Sequence, residues 1–274
     1  MIRPRRLDAD TQYPAFYRPQ LQLDSQRITS GKPQPKWLNI YESPYIAINL
    51  MDNDYQSKAT GYFSNTRTDI EPAIPLFSES ILEIGCGTGA TLAWLKTSGR
   101  CKFTTGIELV AQQAESAAKV VDRVVQGSIE TVDLASWTER FDLILCLDVL
   151  EHLNDPWELI ERLSRLLKPG GRLVASIPNI RHISVLVPLL FQGEWTYSER
   201  GILDKTHLRF FTKKSAIHLV TCSGLSMVCV KELGLQSKSI SSILNKLTMG
   251  LFRGFFASQY LIAVEKRASC SQRN

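Results

Sequence analysis

Three glycines at alternate positions, Gly85, Gly87 and Gly89, close the apolar run of ILEIGCGTGA, and a carboxylate, Glu83, stands two residues ahead of them. Glycines so spaced let a backbone turn sharply and approach a ligand where a Cβ would collide. A helix starting behind them points its amides at that ligand. Such a turn after a buried strand suits a nucleotide. GCGTGA also fits the dinucleotide pattern GxGxxA, so the loop alone does not choose which nucleotide. Glu83 does discriminate, because a carboxylate aimed at the turn repels a diphosphate and suits a ligand with a cationic amino group. Glu108, 19 residues past Gly89 at the end of GIEL, can accept both hydroxyls of a ribose, which serves either kind of nucleotide. Two further clusters carry acid–base chemistry: Asp148 and His152 in DVLEH, and Asp204, His207 and Arg209 in LDKTHLRFF. An imidazole in either place suits general-base work on a hydroxyl. Arg209 suits a phosphate or carboxylate, or a pair with Asp204. His182 in PNIRH is a third, weaker candidate, and His218 reads as structural. Asp148, Glu151 and His152 offer metal-ligand atoms, but positions this close on one turn seldom converge, so no metal is expected.

Strand–helix alternation must position these groups. From Ile81 onward short apolar runs alternate with segments at helical spacing: ILEIG, then TLAWLKTSG; KFTTGIEL, then VAQQAESAAKV; DRVVQG; FDLILCLD, then WELIERLSRLLKPGG; RLVASIP. That order predicts a parallel sheet with helices on both faces. Asp155 reads as the N-cap of a helix Pro156–Leu167, with proline in its first turn and KPGG as its stop. Downstream the pattern predicts a helix Lys213–Ser223, a strand Ser226–Leu233, an apolar-faced segment Ile240–Phe256 and a strand Gln259–Lys266, about seven strands in all. Residues 1–58 are proline-punctuated and polar, and read as an irregular extension with a short helix near Pro44–Met51. Residues 59–268 form the main domain.

The 274 residues, 44% of them hydrophobic, suit one sizeable α/β domain with extensions. Six cysteines without a CxxC pair suit buried thiols in a reducing, cytoplasmic setting. MIRPRRLDAD has charge but no apolar segment behind it, so no secretory signal is expected. The run Ile183–Phe191 contains a proline and is too short to span a bilayer. The net charge of +5 divides into +4 over residues 1–36, −4 over 37–230 and +5 over 231–274. A nucleic-acid groove would carry its positive charge around the reaction centre, so no nucleic-acid partner is expected.

The set E-x-G-C-G-T-G, Glu108, QGSIE, FDLILCLDVLEHL and LKPGGRLVASIP, in that order, resembles the class I S-adenosylmethionine-dependent methyltransferases. Within that class it looks most like small-molecule O-methyltransferases of the ubiquinone-biosynthesis type. SIPNIRH, GEWTYSERGILDKTHLRFFT and GYFSNTRTDIEPAIP bring it closer still to a bacterial group associated with surface-glycan synthesis. The resemblance implies a Rossmann-like, doubly wound, seven-stranded, mostly parallel sheet with an antiparallel last strand, and S-adenosyl-L-methionine as cofactor. It places Glu83 at the methionine amino group and Gly85, Cys86, Gly87 and Gly89 along its main chain. Glu108 falls at the ribose, Ser128 and Ile129 beside the adenine, Asp148 and Val149 at the methionine end. Tyr62 and Arg67 take the position of a lid. QGSIE departs from the family in carrying Ser128 where many relatives have aspartate, which implies weaker holding of the adenine amino group.

Methyl transfer so implied is an in-line displacement that needs alignment in a water-poor pocket. A hydroxyl acceptor also needs a base, for which His152 and His207 are the candidates; Asp204, Arg209 and His182 are candidates for acceptor contact. The loop after the fourth strand reads D-V-L-E rather than the N/D-P-P-Y of enzymes that methylate base amines. A hydroxyl on a small molecule is therefore expected, a surface-glycan sugar first, a quinone or lipid-like aromatic second. A catalytically silent cofactor-binding protein is the third alternative. The segment Ile240–Phe256 is expected to pack on the sheet; the competing reading is an interfacial helix giving peripheral contact with the inner face of a membrane. Oligomeric state is not legible.

Overall fold

The computed structural model describes residues 65–234 and 253–267. The extension 1–58, its helix near Pro44–Met51, Tyr62 and residues 240–252 of the apolar-faced segment lie outside the described residues.

Seven strands form one sheet: β1 (Ser78–Ile84), β2 (Cys101–Glu108), β3 (Arg123–Gln126), β4 (Phe141–Leu147), β5 (Leu167–Pro178), β6 (Ser226–Leu233) and β7 (Gln259–Glu265). Their order is β3-β2-β1-β4-β5-β7-β6. The first five are parallel, and β7 runs antiparallel between β5 and β6. The chain moves from β1 to one side through β2 and β3, then to the other through β4. The carboxyl ends of β1 and β4 therefore flank a topological switch point, where open α/β sheets hold their ligands.

Both faces of the sheet are covered, which is why β1 and β4 read as nearly unbroken apolar runs. Alternate side chains of each strand enter opposite cores. Leu82, Ile84, Ile144 and Cys146 join one, while Ile81, Leu143, Leu145 and Leu147 join the other with Leu92 and Leu95 of the helix Ala90–Thr97. The helix Pro156–Leu166 buries Leu159, Ile160, Leu163 and Leu166, and Asp155 caps it by accepting from the Glu158 amide at 3.0 Å.

The structure adds two local features that the sequence pattern leaves open. KPGG does not trail the helix as a loop, because β5 starts at Leu167, directly after the helix ends. A Cβ on Gly171 would lie 2.8 Å from the Lys168 carbonyl oxygen, so the tight entry into β5 requires a glycine there. The apolar run after β5 forms a helix, Ile183–Gln192, despite Pro188 within it. His182 caps its start and Gly193, at φ 69°, ends it in the left-handed region. Only Val185 of this helix is buried, so no amphipathic period marks it in the sequence. Among the described residues no helix is long and apolar enough to cross a membrane.

Candidate active site

The turn after β1 is built from positions that only glycine fills without strain. Gly85, Gly87 and Gly89 all take positive φ, and a Cβ on Gly89 would stand 2.6 Å from Val121 Cγ2. The amides of Gly85 and Cys86 donate to the Ile107 carbonyl, at 2.8 and 3.2 Å, and that of Gly89 donates to the Cys86 carbonyl at 2.8 Å. The Gly87 amide donates to Glu108 Oε2 at 2.8 Å, and the Val110 amide to Glu108 Oε1 at 2.9 Å. Most of the turn's own donors are thus taken up within the fold, the opposite of a diphosphate cradle. Each Glu108 oxygen keeps a second lone pair for a hydroxyl. Burial holds the Glu108 carboxyl above the usual carboxylate range, although the amides of Val110, Gly87 and Leu109 pull it down. Cys86 is a core side chain, its thiol against the position a Gly106 Cβ would occupy, and burial pushes that thiol up.

Glu83 sits between Gly106 of β2 and Leu145 of β4, in the middle of the sheet. It is 4% exposed, and its Oε2 has no hydrogen-bond partner. Burial raises its carboxyl from 4.5 to about 8, with Arg67 opposing and Glu108 reinforcing the rise. A buried carboxylate without a donor is costly unless a cation completes it.

Asp148 follows β4 with φ 58°, a left-handed conformation unusual for a non-glycine residue. This strain turns its carboxylate onto three donors: Ser176 Oγ at 2.7 Å and Gln259 Nε2 at 3.0 Å on Oδ1, and Arg67 at 2.5 Å on Oδ2. Arg67 also holds Asp69 through two bonds of 2.9 Å, and its backbone amide donates to Thr91 Oγ1 at 3.2 Å. Burial alone would depress the Arg67 guanidinium, but Asp69 and Asp148 outweigh it and hold it above its ordinary value. Arg67, predicted for a lid, therefore joins the chain ahead of β1 to the tip of β4. Val149 Cγ2 lies 2.9 Å from where a Gly85 Cβ would be. Ile129 is buried in the core, and Ser128 Oγ accepts from the Glu130 amide at 3.3 Å.

Beyond Asp148 a cavity of ≈ 260 Å³ opens, lined by Glu151, His152, Asp204, His207 and Gln259 among others. The segment 204–209 is clamped to the β4 turn, with the Leu208 and Arg209 amides donating to the Glu151 carbonyl at 2.8 and 2.9 Å. His152 Nδ1 lies 3.0 Å from the Thr206 carbonyl oxygen, and His207 Nδ1 lies 3.0 Å from that of Ile202. A carbonyl can only accept, so both Nδ1 atoms carry hydrogen, and in the neutral ring Nε2 is the proton-accepting nitrogen. The two rings meet edge to face at 4.6 Å, and His207 Nε2 stands 4.0 Å from Glu151 Oε1. Glu151 is 1% exposed with neither carboxylate oxygen hydrogen-bonded, and burial, reinforced by Asp148, raises its carboxyl well above the usual range. Asp204 Oδ1 accepts from the Thr206 amide and hydroxyl at 2.9 and 2.7 Å.

The structure thus brings His152, His207 and Asp204 to one cavity from two separate sequence clusters. His182 and Arg209 do not line it. His182 is held as a helix cap, its Nδ1 accepting from the Ser184 amide at 3.2 Å. Arg209 reaches the Asn154 and Leu208 carbonyls at 2.6 and 3.3 Å. Sequence reasoning misses two contributors. Ser176 and Gln259 support Asp148 only because β5 lies beside β4 and β7 beside β5, for which no local signal exists. Glu151, named in the sequence with Asp148 and His152, lines the same cavity.

The sheet order agrees with the comparisons to known proteins. A methyltransferase domain family matches residues 55–230. The chain belongs to this family, as a class I S-adenosylmethionine-dependent methyltransferase. Among its relatives, a ubiquinone biosynthesis O-methyltransferase of Xylella fastidiosa (strain 9a5c) is 28% identical over 201 residues, covering 67% of this chain and 73% of that protein. The 27-O-demethylrifamycin SV methyltransferase of Amycolatopsis mediterranei (strain S699) is 35% identical over 101 residues, covering 35% of this chain and 37% of that one. An S-adenosylmethionine-dependent methyltransferase from Archaeoglobus fulgidus shares the fold, with a TM-score of 0.54 and 18% identity over 82% of this chain and all of that one.

Proposed function

We propose that this enzyme methylates a hydroxyl of a compact, polar small molecule, with a sugar of a surface glycan or its carrier-linked precursor as the acceptor class. One observation carries the reading: beside Asp148 lies a small cavity lined by Glu151, His152, Asp204 and His207, groups able to exchange a proton with a bound hydroxyl. The methyl-donor side fits the same scheme. The lone Glu83 oxygen suits the ammonium of a methionine moiety, and Glu108 keeps lone pairs for ribose hydroxyls. Ser128 and Ile129 flank the adenine in this reading, and Asp148 with Val149 close the methionine end.

S-adenosylmethionine, when bound, supplies a sulfonium methyl already activated for displacement. The chain contributes alignment and a sink for one proton. The acceptor oxygen attacks the methyl carbon as the carbon–sulfur bond breaks, giving a methyl ether and S-adenosylhomocysteine. The hydroxyl proton passes to the cluster, where His207 or His152 Nε2 can take it; a positioned base contributes ~10²–10⁴-fold. Asp204, fixed by Thr206, is an acceptor for a neighbouring hydroxyl.

The polar lining favours a hydroxyl-rich acceptor. The named relatives act on ubiquinone precursors and rifamycins by their names, and the exposed Leu190, Phe191 and Trp195 beside the β5 connection favour a second reading, an aromatic lipid-like acceptor. Assay with a methyl-labelled donor against nucleotide- and lipid-linked sugars, and against a catechol quinone precursor, separates the two. Label in an alkali-stable sugar ether supports the first reading. Label only in the quinone supports the second, and label in amines alone overturns both.

A further inference from the structure

Of the three side chains that hold the Asp148 carboxylate, Ser176 and Arg67 stand outside the cavity, whereas Gln259 lines it. Gln259 opens β7, in register with Pro178 of β5 on one side and Leu233 of β6 on the other. The chain ahead of it is pinned by Asn179. Asn179 Nδ2 donates to the Gly254 and Ala257 carbonyls at 2.8 and 2.7 Å, and its backbone amide to the Ser258 carbonyl at 2.9 Å. The Ser258 amide donates in turn to the Leu233 carbonyl at 3.0 Å. The Gln259 backbone is thus held from both flanking strands.

Asp148 then decides which way the Gln259 amide faces. A carboxylate paired with Arg67 only accepts, so Gln259 turns its nitrogen to Asp148, at 3.0 Å, and its oxygen away. Inverting the amide would set two oxygens face to face. Among the described residues the Gln259 oxygen has no donor of its own. A residue on the cavity wall therefore keeps one oriented hydrogen-bond acceptor for an occupant, directly beside Asp148.

We propose that the Gln259 oxygen accepts a hydrogen bond from a second, non-reacting hydroxyl of the methyl acceptor, and so selects which hydroxyl of a polyol reaches the methyl group. This role rests on the proposed function above. A neutral amide has no proton to exchange, so Gln259 is a specificity residue and not the base. An acceptor with hydrogen or a methoxy group at that place leaves the oxygen unsatisfied and binds more weakly. Because Nε2 stays on Asp148, one rigid side chain ties the acceptor to the methionine end of the donor.

The test begins with crystals of the full chain grown with sinefungin, an amine analogue of the donor. Nε2 kept on Asp148, with an ordered water on the Gln259 oxygen inside the cavity in place of a hydroxyl, is expected. An amide swung off Asp148, or an oxygen without that water, overturns the proposal. Kinetics then use the sugar that takes label in the assay above. Gln259→Leu should raise its KM about tenfold and spread the methyl over more than one hydroxyl. Ser176→Ala also removes a donor from Asp148 but lies outside the cavity, and should keep KM within threefold and the methyl on one position. S-adenosylhomocysteine affinity should fall alike in the two variants. Equal changes of KM and product in both, or none in Gln259→Leu, reduce Gln259 to a support of Asp148 and overturn the proposal. Where a variant fails to fold, the wild-type crystal decides. A chain that methylates no sugar overturns the proposed acceptor class, and the crystal judges the amide separately.

Discussion

Replacing Glu83 by glutamine should make the ligand-free protein more stable and bind its cofactor more weakly. The carboxyl is almost fully buried, one oxygen lacks a donor, and burial lifts it from 4.5 to about 8. At 1.36 kcal/mol per pH unit, the buried group costs the fold roughly 5 kcal/mol above pH 8, where it is ionised, and about 3 kcal/mol at pH 7, where it holds a proton that the unfolded chain has released. The folded state binds the proton more tightly than the unfolded one. Stability from this group is therefore intact below pH 4.5, falls as pH rises, and levels off above about 8. Glutamine removes that dependence but leaves a buried amide incompletely bonded, at a cost of about 1–3 kcal/mol. The net gain at pH 8.5 is then about 2–4 kcal/mol, or roughly 4–16 °C in Tm for a chain of this size. In the complex the sign reverses, because the variant lacks the charge-assisted bond to the methionine ammonium. That bond is worth about 1.5–3 kcal/mol, a roughly 10- to 150-fold loss in S-adenosylhomocysteine affinity. Thermal denaturation between pH 6 and 9 and calorimetry in buffers of different ionisation enthalpy measure both effects. Wild type should also release close to one proton on binding at pH 7. A Glu83→Gln variant less stable than wild type at pH 8.5, with cofactor affinity within threefold, would refute the electrostatic reasoning.

Gly89→Ala puts a Cβ 2.6 Å from Val121 Cγ2 at φ 80°, and should cost about 2–4 kcal/mol with loss of cofactor binding; urea unfolding and calorimetry check it. Arg67→Met removes the cation that, among the described residues, pairs with Asp148, and should weaken S-adenosylhomocysteine about tenfold, read by calorimetry, with Tm lowered by several degrees. Asp155→Ala removes the cap on the Glu158 amide, and should lower stability by about 1 kcal/mol, or ~2–4 °C in Tm, with turnover unchanged.

Local chemistry accounts for what is legible in advance. The buried strands declare themselves as apolar runs, because a sheet covered on both faces needs side chains of that kind throughout β1 and β4. Glu83, the glycine turn and Glu108 stand out because each breaks the pattern around it. Asp155 and Pro156 mark a helix start through capping geometry confined to four residues. The helix Ile183–Gln192 leaves no such mark, since it is apolar all round and carries a proline.

By itself the sequence determined the βα order, the carboxylate-flanked turn and therefore the kind of nucleotide, because strand period, turn conformation and the sign of a charge are set by neighbouring residues. Tertiary structure alone decided which of the scattered acids and histidines share a site. Insertion of β7 beside β5 brings Gln259 to Asp148, and docking of segment 204–209 on the β4 turn brings His207 to Glu151 and His152. Those meetings depend on long-range packing and on backbone carbonyls that orient each ring, and no short stretch of chain encodes either.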